Sequence, residues 1–176
     1  MSHRMFQGLP ALLTRFILVM ALSFPLRAVA QDLAPPRGEV LLTISGAIAR
    51  TNAGEAAQFD RALLETLDPV TIETTTIWTD GVQRFTGVPL VRLMQAVGAT
   101  GKTLKATAIN DYAIEIPKSD WVENGPIVAY LRNGKPMSVR DKGPLWVIYP
   151  YDTNPVYQGE VTYSRSIWQL DRITVE

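Results

Sequence analysis

The chain has 176 residues, 17 Lys+Arg against 17 Asp+Glu, no cysteine and a single histidine, His3. These counts exclude a disulfide framework, a thiolate nucleophile or metal ligand, and the basic surface that nucleic acid requires. Beyond His3 they also exclude a Ser-His-Asp or Cys-His hydrolase and deprive zinc or copper of its best donors.

The first thirty residues read as a targeting segment. Arg4 and Arg15 give a positive start, Phe16–Leu22 a short apolar stretch, and Ala28-Val29-Ala30 the small-x-small pattern of signal peptidase. The apolar stretch falls short of the ~20 residues of a bilayer span. Cleavage after Ala30 predicts an exported domain, residues 31–176, periplasmic in a bacterium; an uncleaved anchor is the alternative. Loss of Arg4, Arg15 and Arg27 leaves 14 basic residues against 17 acidic, a net of −3, which again argues against nucleic acid.

Asp32–Gly38, with Ala34-Pro35-Pro36, reads as an extended leader. Val40, Leu42 and Ile44 alternate as a strand with one buried face. Asn52 and Glu55 have capping-box spacing, predicting a helix with Phe59, Leu63 and Leu67 on one face, stopped at Asp68-Pro69. Thr71–Trp78 is β-branched and predicts a strand, with Asp80-Gly81 as the turn behind it. A second helix begins at Pro89, buries Leu90, Leu93, Met94 and Val97, and closes on Gly98.

The second half is strand-rich. Leu104–Ile109 and Tyr112–Ile116 flank an Asn110-Asp111 turn, and Ile127–Arg132 and Met137–Val139 flank Asn133-Gly134, a strong hairpin signal. Leu145–Tyr149 and Ile167–Val175 complete the set. In the last, Trp168 and Leu170 share one face while Ile173 and Val175 share the other, which predicts a bulge near Asp171-Arg172. The fold class is α+β: a mixed or antiparallel β-sheet with two short helices packed on it.

Several of these stretches together resemble a known family. Phe85-Thr86-Gly87-Val88-Pro89-Leu90, followed by Leu93-Met94 and Gly98, is similar to the F-x-G-V-x-L segment of sulfite-oxidase-type molybdopterin-binding domains. Asp111-Tyr112 with Ile114 and Ile116, then Ala129-Tyr130, Asn133-Gly134, Pro136-Met137 and Gly143-Pro144, follow that family's later blocks in order, over roughly residues 39–176. The resemblance implies the molybdopterin-binding fold. In that family a cysteine ahead of the F-x-G-V-x-L segment ligates molybdenum; here the stretch is Glu73-Thr74-Thr75-Thr76, and Leu145-Trp146 stands where the enzymes carry arginine. A cysteine-free chain of this kind also resembles PruR-type periplasmic pterin-sensing proteins. That resemblance implies a reduced pterin bound without metal and reported to an inner-membrane signalling protein that makes or degrades cyclic-di-GMP. The alternative is a molybdopterin-dependent oxidoreductase whose metal takes oxygen from Thr74, Thr75 or Thr76.

A pterin is flat and wants an aromatic face; its N–H and amine edge matches a carboxylate fork, and its oxo group wants a donor. The chain offers such groups at turns and strand ends: Trp78 and Asp80, Asp111 and Tyr112, Tyr149, Tyr151 and Asp152 closing "GPLWVIYPYD", and Tyr163-Ser164-Arg165 before Trp168. The expected roles are Asp152 or Asp111 as the fork, Arg165 as the oxo donor, and Trp78 or Tyr112 as the stacking face. Plainer readings stand beside these. Trp146 or Tyr149 is core, Trp168 packs beside Leu170, Asp80 and Asp111 are turn residues, and Arg165 pairs with Asp171 or Glu160 at the surface. Tyr151–Tyr163 is the expected switch loop, ordered by ligand. No residue is assigned a catalytic or metal-binding role.

Overall fold

The computed structural model describes residues 33–176; the expected targeting segment, its cleavage pattern and His3 lie outside them. In chain order the elements are β1 (Val40–Gly46), β2 (Ala57–Asp60), α1 (Arg61–Glu65), β3 (Val70–Thr76), β4 (Thr79–Pro89), α2 (Leu90–Val97), β5 (Thr103–Ala108), β6 (Ala113–Pro117), β7 (Ile127–Arg132), β8 (Lys135–Pro136), β9 (Trp146–Ile148), α3 (Glu160–Arg165) and β10 (Leu170–Val175). The architecture is α+β, mostly sheet with few short helices.

The strands form two sheets where one was expected. The first has the order β2-β1-β10-β5-β6, and β1–β10 is its parallel pair. The second runs β3-β4-β7-β8, with β9 also on β7, and is antiparallel throughout. The sheets meet where β9 approaches the chain entering β10. Trp146 bridges Trp168, the Val147 N–H donates to the Ile167 carbonyl (2.9 Å), and the Leu170 N–H donates to the Leu145 carbonyl (3.0 Å). One continuous core joins both sheets and α2.

Local chemistry explains most elements. α2 buries Leu90, Leu93, Met94 and Val97, the stripe its spacing predicts, and Gly98 ends it at φ +62°, a left-handed cap that glycine adopts without a Cβ penalty. The bulge in β10 is real: Leu170 faces Ala108 and Arg172 faces Thr107, so Asp171 is the extra residue. Gly87 lets β4 and β7 approach, because a Cβ there would collide with the Val128 carbonyl and the Ala129 backbone.

Other expectations are corrected. Asn52 starts no helix. Its Oδ1 accepts the Gln58 N–H (2.7 Å), and its Nδ2 donates to the carbonyls of Gln58 (2.9 Å) and Ala34 (2.7 Å), closing the β1–β2 connection and pinning the leader. Phe59 is a strand residue, and the helix starts after Asp60, whose carboxylate accepts the N–H groups of Leu63, Gly38 and Arg37. Those donors, Leu63 foremost, hold the buried Asp60 carboxyl below the usual carboxylate range. The β3–β4 turn is Ile77-Trp78, while Asp80-Gly81 lies inside β4: Thr74 faces Gln83 but Thr76 faces Thr79, so β4 carries the surplus residues as an irregularity around Gly81 (φ +63°). Tyr151–Tyr163 is no open loop. It folds into 3₁₀ turns at Tyr151–Thr153 and Pro155–Gln158 that run into α3, a third helix beyond the two expected.

Candidate functional site

A cleft of about 480 Å³ opens at the seam between the sheets, within the size range of small-molecule sites. Four separate segments build it. Trp78 comes from the β3–β4 turn, Ala108, Asn110 and Tyr112 from the end of β5 and its turn, Tyr163, Ser164 and Ser166 from α3 and its end, and Ile167 with Trp168 from the approach to β10.

Trp78 is the hub. Its backbone N–H donates to the Thr76 hydroxyl (3.1 Å), which shares a 2.8 Å bond with the Thr79 hydroxyl, so the two-residue turn is clamped. The indole meets four rings edge-on: Trp168 at 5.6 Å, Trp146 at 5.7 Å, Tyr163 at 5.8 Å and Tyr151 at 6.4 Å between centroids. Such pairs add roughly 0.5–1.5 kcal/mol each beyond burial, enough to fix the ring in place. Trp168 is 37% exposed and Tyr112 55% exposed, so both offer ring surface at the mouth. The Lys142 ammonium sits 4.0 Å from the Trp168 ring centre and steadies that ring by a cation–π contact.

Of the nine expected site residues, the fold brings Trp78, Tyr112, Ser164 and Trp168 into one lining and leaves five outside it. Tyr151 stands behind the wall. It is 2% exposed, and its hydroxyl donates to Ser166 Oγ (2.6 Å), which donates in turn to the Thr162 carbonyl (2.8 Å); burial pushes the phenol up to about 12. Asp152 is a fastener and not a fork. Its carboxylate accepts the Thr75 hydroxyl (2.6 Å) and the Thr75 N–H (2.6 Å), while its own N–H donates to Thr74 Oγ (3.2 Å). Thr75, its hydroxyl foremost, holds the Asp152 carboxyl below the ordinary range. This occupies one backbone donor, the Thr75 N–H, on the free edge of β3.

Asp111 adopts φ +67° in its turn and pairs with Arg172. Asp80 is exposed on β4, its carbonyl taken by the Gln83 amide (2.7 Å). Arg165 forms an ion pair, as the plainer reading has it, but with Asp120 (3.1 Å), not with Asp171 or Glu160. Asp120 also accepts the Tyr149 hydroxyl (2.7 Å); burial, then that bond, pushes the Tyr149 phenol far above its usual range. Trp146 and Tyr149 are both core, not one of them.

The lining residues missed by sequence reasoning are Ala108, Asn110, Ser166 and Ile167. Tyr163 carried a signal, standing beside Ser164 and Arg165. Asn110 reads only as a turn former, and the others are small or apolar residues whose role depends on the meeting of the two sheets.

The threonines at the expected metal position are a poor donor set. Thr74 is buried and bonded to Asp152 N–H and the Thr75 carbonyl, Thr75 to the Asp152 carboxylate, and Thr76 to Thr79. Among the described residues no three His, Cys, Asp or Glu side chains gather as a metal site. These residues do not fit molybdenum.

No model of a known protein family matches the chain, and no characterised protein matches it either. What fold and cleft define is a class: an α+β domain with an aromatic-walled cleft, free of charged lining residues, at the junction of two sheets.

Proposed function

We propose that this chain is an exported pterin-binding protein of the sulfite-oxidase-type molybdopterin-binding fold. It holds a reduced pterin without metal and reports it to an inner-membrane signalling protein, one that controls cyclic-di-GMP through a periplasmic sensor domain. One observation carries the reading. A 480 Å³ cleft is walled by Trp78, Tyr112, Tyr163 and Trp168 and has no ionisable group among its remaining lining residues. Such a lining grips a flat neutral ring by its faces, and it contains no carboxylate, imidazole, amine or thiol side chain to act on that ring. The motif order supports the pterin as the ring in question.

The membrane partner must contact bound and free forms with different affinity. Ile77 (61% exposed) and Ile109 (43%) flank the lining residues Trp78, Ala108 and Asn110 in sequence, and supply apolar contact beside the mouth. The test is quenching of intrinsic fluorescence by anaerobic tetrahydropterin. Saturable one-to-one quenching with a Kd in the micromolar range or tighter supports the reading; no saturation at millimolar ligand refutes it.

A further inference from the structure

Aromatic walls grip the faces of a ring but do not read its edges. Besides the phenol and indole groups of the aromatic walls, three polar side chains line the cleft: Asn110, Ser164 and Ser166. Ser164 Oγ donates to the Val161 carbonyl (2.7 Å) and Ser166 Oγ to the Thr162 carbonyl (2.8 Å). Both hydroxyl protons are thus committed to backbone, and towards a ligand these serines act as acceptors. Ser166 also receives the Tyr151 hydroxyl, which leaves it one lone pair.

Asn110 differs. Its Oδ1 accepts the Tyr112 backbone N–H at 3.2 Å. An N–H meets only an acceptor, so that bond fixes which end of the amide is oxygen. The Nδ2 group makes no hydrogen bond among the described residues, and Oδ1 keeps a second lone pair. Asn110 therefore presents one donor and one acceptor side by side on a cleft wall. The carboxylates nearby are engaged elsewhere, Asp111 by Arg172 and Asp152 by Thr75.

We infer that the Asn110 carboxamide is the specificity-determining group of the cleft, and that it reads a lactam edge, a ring carbonyl beside a ring N–H. Nδ2–H donates to the ring carbonyl and Oδ1 accepts the ring N–H. The inference rests on the proposed pterin reading and deepens it, by stating which edge of the ring is recognised. A carboxylate fork would make the opposite choice, since it accepts two parallel donors and repels a carbonyl. A carboxamide pairs with the neutral lactam, and a ring held in that same orientation would set an amidine edge donor against donor and acceptor against acceptor.

Three rings separate the two outcomes: pterin (2-amino-4-oxopteridine), lumazine (2,4-dioxopteridine) and 2,4-diaminopteridine. Lumazine keeps the lactam edge without the amine, and the diamino ring keeps the amine without the lactam. Each is titrated by fluorescence quenching at pH 7 into the wild-type chain, Asn110→Asp and Asn110→Ala. The wild type binds pterin and lumazine within about threefold of one another and the diamino ring about tenfold more weakly, the size of one mismatched hydrogen bond. Asn110→Asp keeps an acceptor for the Tyr112 N–H but has no donor for the ring carbonyl; it accepts the paired N–H and amine donors that pterin has and lumazine lacks, so pterin binds about tenfold more tightly than lumazine. Asn110→Ala weakens both lactams by about tenfold and levels the three. A wild type that favours the diamino ring, or an Asn110→Asp variant that still binds lumazine as well as pterin, overturns the assignment. Equal binding of all three rings removes the Asn110 role alone; binding of none removes the proposed function with it.

Discussion

Asp152 stands where the sequence places a ligand-gripping carboxylate, yet its two oxygens are each 2.6 Å from donors of Thr75. Asp152→Ala removes both bonds and uncovers the free edge of β3. A net hydrogen bond contributes about 0.5–1.5 kcal/mol, and water replaces part of it at an exposed site. The pair therefore stabilises the fold by about 1–2 kcal/mol. For a domain of this size that is a fall of roughly 3–7 °C in Tm. Urea melts followed by tryptophan fluorescence measure it as a lower midpoint at unchanged slope. The pH dependence supplies a second check. The Asp152 carboxyl is held below its ordinary value by Thr75, so its contribution is complete above the unfolded value of about 3.9 and is lost as pH falls through the lower folded one. The gap between wild type and variant narrows from about pH 4 towards pH 2. Asp152→Asn, meanwhile, leaves tetrahydropterin affinity within about threefold, well under the tenfold of one lost hydrogen bond. A variant as stable as the wild type at pH 7, a gap indifferent to acid, or a tenfold loss of affinity in Asp152→Asn would each refute the fastening role.

Three further outcomes are expected. Gly87→Ala drives a methyl into the Val128 carbonyl and Ala129 backbone; it costs about 1–3 kcal/mol or more, read as a lower denaturation midpoint with the cleft residues untouched. Tyr149 and Tyr151 titrate above their ordinary range because they are buried; their contribution is complete below about pH 10 and is lost as pH rises through the folded values. Burial raises Tyr130 as well, so absorbance at 295 nm leaves at least two of the six tyrosines silent at pH 11, until circular dichroism reports unfolding. Trp78→Ala deletes the hub of the aromatic walls and weakens tetrahydropterin binding by about tenfold or more, with a loss in quenching amplitude measured in the same titration.

The parts of the fold legible in the sequence are those whose cause is local. The i, i+3, i+4, i+7 spacing of Leu90, Leu93, Met94 and Val97 has one helical solution, and Gly98 marks its end. Asn133-Gly134 fixes a hairpin, and the conflict of faces in the last strand requires the bulge found at Asp171. Where a side chain chooses between partners far apart, the sequence is ambiguous. Asn52 and Glu55 have capping spacing, but the Asn52 amide gains three bonds by closing a turn against Gln58 and Ala34. α3 is hidden because Glu160–Arg165, EVTYSR, contains Val, Thr, Tyr and Ser, which are weak helix formers held here by tertiary packing. The cleft was half legible for the same reason. Trp78, Tyr112 and Trp168 stand out as large rings at turns and strand ends. The acids beside them look equally available until Arg172 and Thr75 are seen to occupy them.

The central claim is that this chain holds a flat ring without a metal. It is tested most directly by native mass spectrometry of protein isolated from its own compartment under anaerobic conditions, with metal analysis of the same sample. The account predicts one pterin per chain, released intact on denaturation, with molybdenum below stoichiometry. Protein that releases no heterocycle and takes up no tetrahydropterin, or that carries one molybdenum per chain, would contradict it.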